Sequence, residues 1–243
     1  MFCFRRATWL RALGLALPVG LGAGSASARA EVIPCSRLAA GGPAIEISGA
    51  ENRFSGPCEV TLANDLKIQG SPGAKIDLTP STAYPFGLVI HSNGHRVEII
   101  GVEMTFDRGY AVDIMGTGTG DVVVKNARIV DTRSSTVACS PADEDRFGLI
   151  LHRVGGVEIE GFEVRGAGGA AKLQSGLVLV GHAEDPPANA TWTNGQSIVE
   201  CGLAAEAVRR PMSMSGVTVH VKGPCELRPK GLAEVVAHGR PQP

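Results

Sequence analysis

Short runs of strict alternation, apolar at every second position, recur along the chain. Phe86-Gly87-Leu88-Val89-Ile90-His91 returns as Phe147-Gly148-Leu149-Ile150-Leu151-His152. Tyr110-Ala111-Val112-Asp113-Ile114-Met115 and Ser175-Gly176-Leu177-Val178-Leu179-Val180 keep the same pattern. A second run follows, apolar-x-apolar-x closed by Gly or Asn. It appears at Val97–Gly101, Val122–Asn126 and Val157–Gly161, with earlier copies at Ile45–Gly49 and Leu66–Gly70 and a weaker one at Ile198–Gly202. A third apolar pair closes each unit: Val102/Met104, Ala127/Ile129, Phe162/Val164. A period of two predicts strands, and Gly or Asn at the corner suits a backbone that turns through positive φ.

The units repeat. Phe86 to Tyr110 spans 24 residues, Tyr110 to Phe147 spans 37, and Phe147 to Ser175 spans 28. The longest contains an insertion near Ser134–Arg146. Three strands per unit at a nearly fixed period predict a solenoid whose equivalent strands pair in parallel at ~4.8 Å per coil. Leu88, Val112, Leu149 and Leu177 would then stack inward, as would Ile90, Ile114, Leu151 and Leu179. Residues 204–208 read as one helical turn.

On this pattern the chain resembles the right-handed parallel β-helix proteins, the pectin-lyase-like superfamily, over roughly residues 44–222. The resemblance implies an all-β parallel β-helix of about six to seven coils. It also implies activity on polysaccharides at an outward-facing strand surface walled by insertions. The Asp-Asp pair of the polygalacturonase-like members does not occur in this sequence.

Composition agrees with many short strands and tight turns. The 243 residues include 32 glycines without an every-third-residue period, 44% apolar residues and only 5% aromatic ones. Charged residues make up 19%, which excludes a disordered polyelectrolyte and a basic nucleic-acid binder. Residues 1–30 read as a signal peptide, with Arg5, Arg6 and Arg11 before the apolar run Ala12–Ala23 and a small-residue site at Ala28-Arg29-Ala30. Cleavage would leave Glu31 first. Without the four arginines of that segment, 19 basic residues face 24 acidic ones, a net −5. That balance argues against nucleic acid and anionic membranes as partners. The expected product is an exported bacterial protein, periplasmic or secreted, with a β-helix at 31–225 and a tail at 226–243.

Five cysteines remain after cleavage, and two bridges among them can be chosen in 15 ways. One-coil spacing favours Cys35–Cys58, 23 residues apart, and Cys201–Cys225, 24 apart, leaving Cys139 unpaired.

Candidate chemistry lies on the outward positions of the first strands. Val89, Asp113, Ile150 and Val178 form one ladder; His91, Met115, His152 and Val180 form the other. Asp113, His91 and His152 are therefore the candidate acid–base group. Trp192, in the loop His182–Gly195, either stacks on a sugar ring through its apolar face, as a candidate substrate-binding residue, or packs that loop onto the solenoid. Arg108 and Arg133 are candidate substrate-binding cations. Asp143, Glu144 and Asp145 either bind a cation such as Ca²⁺ or form a solvated charge run. The pattern requires no cofactor. A polysaccharide is the expected partner for a catalytic or binding protein, and none is needed for a purely structural solenoid.

Overall fold

The computed structural model describes residues 31–78, 86–133, 146–173, 175–182, 189–199, 203–208, 212–221 and 237–238. The chain is a parallel β-helix. Three parallel sheets of six, eight and eight strands form its faces, and each pass of the chain contributes one strand to each in turn. The first face runs from Cys58–Thr61 through Phe86–His91, Tyr110–Met115, Phe147–His152 and Ser175–Val180 to Leu203–Val208. The second includes Val97–Ile100, Val122–Lys125, Val157–Glu160 and Ala190–Thr193. The third includes Glu103–Phe106, Arg128–Asp131, Glu163–Gly166 and Gln196–Val199.

The register follows the alternation. Leu88, Val112, Leu149 and Leu177 are successive partners on the first face, as are Ile90, Ile114, Leu151 and Leu179, and all are buried. Each such side chain contributes about 1.5–3 kcal/mol of burial. The faces meet at tight corners, and the corner between the second and third carries positive φ in successive coils, at Gly101, Asn126, Gly161, Asn194 and Gly216. Asn replaces Gly there because its short polar side chain tolerates the left-handed region.

The N-terminal end is closed by a six-residue helix, Cys35–Ala40, which buries Leu38 and packs on Cys58–Thr61. The Cys35–Cys58 disulfide ties the helix to that strand, with 5.5 Å between the Cα atoms. Cys139, Cys201, Cys225, the segment 1–30 and the acidic run 143–145 lie outside the described residues. In the tail, Ala237–His238 pairs with Met212–Ser213 and extends the second face.

Two local expectations change. Residues 203–208 form a strand of the first face, pairing with Ser175–Val180, and not a helical turn. Small alternating residues form that strand because a neighbouring strand supplies the backbone hydrogen bonds. The second-face copy in that coil is Ala190–Thr193, closed by Asn194, and Ile198 belongs to the third face. Ala190 and Thr191 weaken the apolar signal that marks the other copies, so the more apolar Ile198-Val199 stands out in its place.

Candidate functional site

The outward ladder of the first face reads Glu59, Val89, Asp113, Ile150, Val178, and two positions further along each strand lies Thr61, His91, Met115, His152, Val180. Period-two alternation places both ladders on one side of the sheet. His91 and His152 therefore flank Asp113 diagonally, one coil to either side. The sequence pattern placed these three residues together, and the register agrees.

Asp113 is only 3% exposed, and its ladder neighbours Val89, Ile150 and Val178 are buried although they lie outside the inner core cluster. Its Oδ1 lies 3.6 Å from His152 Nε2 and has no hydrogen-bond partner. Burial pushes the Asp113 carboxyl up to about 7, against a smaller opposing pull from His91. Burial pushes the His152 imidazole below its ordinary value, and the positive charge of His182 adds to that. Both shifts favour the neutral forms. The pair is thus a carboxylic acid beside a neutral imidazole that is itself 37% exposed along its side chain. Such a pair can give or take a proton near neutral pH.

His91 is held differently. Its Nε2 lies 2.8 Å from Glu59 Oε1, on a half-exposed carboxylate. Since a carboxylate only accepts, Nε2 carries the hydrogen and Nδ1 of the neutral ring is the free base. Glu59 was not among the sequence candidates. Its strand, Cys58-Glu59-Val60-Thr61, is two residues shorter than Phe86–His91 and Phe147–His152 and lacks their Phe-Gly-Leu opening.

Trp192 stands apart from the site. It belongs to a second-face strand, is fully buried, and packs on Phe162 with ring centroids 6.1 Å apart. Its register partners are Ile159 and Met214, both in the inward ladder. Gly195 makes room for the indole, because a Cβ there would stand 2.3 Å from Nε1. The ring faces are covered, so Trp192 is a core residue and not a sugar platform. Its polar sequence neighbours obscured this, since they occupy the outward positions of the same strand.

Arg108 and Arg133 are both engaged locally. Arg108 donates to Asp107 through Nε and Nη2, each at 3.0 Å, and holds that carboxyl below its usual range. Arg133 donates to Asp131 and to the Lys172 carbonyl. Asp131 also accepts from Arg146 Nη2 at 3.2 Å and from the Lys172 backbone N–H at 2.8 Å. These arginines tie the corner between the third and first faces together.

Among the described residues, no group of three or more His, Cys, Asp or Glu side chains is arranged to hold a metal ion. No helix there is long and apolar enough to cross a membrane. No protein-family model, no curated protein and no solved structure matches the chain.

Proposed function

We propose that this is an exported, pectin-lyase-like β-helix protein that modifies an extracellular polysaccharide, with the Asp113–His152 pair as its proton-transfer centre. One observation carries the reading: a buried carboxyl with an unpartnered oxygen sits beside a half-exposed imidazole on the outer side of a rigid sheet. An unsatisfied buried polar atom costs roughly 1–3 kcal/mol, and at Asp113 that cost falls on a proton-exchanging group beside an imidazole. Retaining it on an outer strand surface is what an acid–base site requires. Export is supported by the signal-like first 30 residues and by the Cys35–Cys58 bridge, which suits an oxidising compartment.

The test is a panel of xylan, mannan, β-glucan, chitin, alginate and polygalacturonate, assayed for new reducing ends and for unsaturated products. Activity on one member that Asp113→Asn abolishes supports the reading. A wild-type protein inert on every member rejects it.

A second reading, a non-catalytic structural or binding solenoid, draws on the commitment of Arg108 and Arg133 to Asp107 and Asp131. It is favoured if the protein binds a member of the panel and leaves it unchanged.

A further inference from the structure

The same diagonal contact occurs twice on the first face. Glu59 pairs in register with Val89, and His91 lies two residues beyond it; Asp113 pairs with Ile150, and His152 lies two residues beyond that. Each carboxyl thus meets an imidazole one coil on and two residues ahead, at 2.8 Å in the first case and 3.6 Å in the second. Glu59 and Asp113 occupy one ladder with Val89 between them, and His91 and His152 occupy the next with Met115 between them. The two pairs therefore lie two strand spacings apart, about 9–10 Å.

Their environments differ. Glu59 is 51% exposed along its side chain, whereas that of Asp113 is 4% exposed. Two like groups placed in unlike surroundings are how one site obtains both an acid and a base.

We infer that Glu59 and His91 form the proton-accepting half of the polysaccharide site whose proton-donating half is Asp113 and His152, and that the site hydrolyses a glycosidic bond. This rests on the reading proposed above and adds the base, the reaction type and the stereochemistry. A water oxygen bonds to the anomeric carbon while His91 Nδ1 takes the water proton, with Glu59 holding the ring through Nε2. The bond from that carbon to the leaving oxygen breaks, and this oxygen takes the proton of the Asp113–His152 pair by way of the exposed imidazole. The proton on His91 then passes to solvent, and solvent reloads the donor. One water is consumed.

A spacing of about 9–10 Å leaves room for that water and far exceeds the ~5–5.5 Å at which a second carboxylate attacks the sugar itself, so the product anomer is inverted. Hydrolysis is preferred to elimination from a polyuronate because elimination needs cations on the sugar carboxylate, and Arg108 and Arg133 are spent on Asp107 and Asp131.

The experiment uses the mature protein on xylan, mannan, β-glucan and chitin. Glu59→Gln keeps the side-chain shape at a half-exposed position, so its melting temperature should match the wild type. Its kcat should fall about 100-fold or more at a KM within about twofold, and Glu59→Gln/His91→Gln should be no slower than His91→Gln alone. NMR of the first-formed sugar should show the inverted anomer. An active wild type with Glu59→Gln within about threefold in kcat, or with a retained anomer, overturns this inference and leaves the broader reading standing. A wild type that releases nothing from the four polymers, yet yields unsaturated products from alginate or polygalacturonate, overturns the hydrolytic assignment alone. A wild type inert on all six overturns both.

Discussion

Arg146 and Asp131 meet in the interior of the corner between the third and first faces, Nη2 to Oδ1 at 3.2 Å, with both side chains almost wholly buried. Asp131 sits at an inward position, in register with Phe106 and Gly166, and the Arg146 guanidinium lies 5.7 Å from the centroid of the Phe106 ring. The carboxylate also receives Arg133 and the Lys172 N–H. Asp131→Asn would leave two guanidiniums facing a neutral amide. Removing one partner from a buried ion pair costs about 3–5 kcal/mol. Urea unfolding should show a loss of that order, and a change below about 1 kcal/mol would mean that Asp131 is not the centre of the network.

The corner between the second and third faces gives a paired test of register. At Gly161, φ is 61° and a Cβ would stand 2.4 Å from Asn126 Oδ1. Gly161→Ala therefore adds both strain and a clash, and should cost about 1–3 kcal/mol. Asn126 holds φ 49° where Gly101 and Gly161 stand in the adjacent coils. Asn126→Gly should be close to neutral, because relief of strain offsets the gain in chain freedom. Equal effects for the two substitutions, measured by thermal unfolding, would argue against this corner geometry.

The Cys35–Cys58 bridge holds the capping helix on the first strand of the first face. Cys35→Ser/Cys58→Ser should lower stability by about 2–4 kcal/mol. Hydrogen exchange should rise first in Cys35–Ala40 and Cys58–Thr61, because a solenoid frays from its ends. Uniform loosening along the whole helix would contradict that order.

The coil architecture and the inward ladders were legible in the sequence because one-dimensional stacking turns a tertiary contact into a periodic pattern. Leu149 and Leu177 are partners because they hold the same place in successive units. The Cys35–Cys58 bridge was legible for the same reason, its spacing being one coil. Legibility failed where a strand keeps its place but changes its residues. Trp192 reads as a loop residue, and not as part of a strand, because alanine and threonine surround it. Glu59 was missed because its strand is short and opens with cysteine. The Asp131 knot was hidden because an inward aspartate breaks the alternation, and its partners Arg146 and Lys172 lie 15 and 41 residues downstream.

The environment of Asp113 makes stability itself depend on pH. Its carboxyl moves from an ordinary 3.8 up to about 7 on folding. The folded state then binds a proton that the unfolded chain has already released, so stability falls as pH rises through that interval, by up to a few kcal/mol. His152 acts in the opposite sense. Its lowered value means that the unfolded chain takes up a proton first, so stability is lost as pH falls below the ordinary 6.5. In the wild type the two dependences oppose each other across mildly acidic pH. Asp113→Asn removes the carboxyl and leaves the histidine. The variant should match the wild type below about pH 3, where the carboxyl is protonated in both states, and exceed it above about pH 7, where the wild type must either bury a charge or bind a proton. Unfolding free energies measured from about pH 3 to 8 on both proteins check this. A variant less stable than the wild type at pH 8 would mean that the Asp113 carboxylate is held by a favourable partner when ionised, which would remove the ground for assigning it proton transfer.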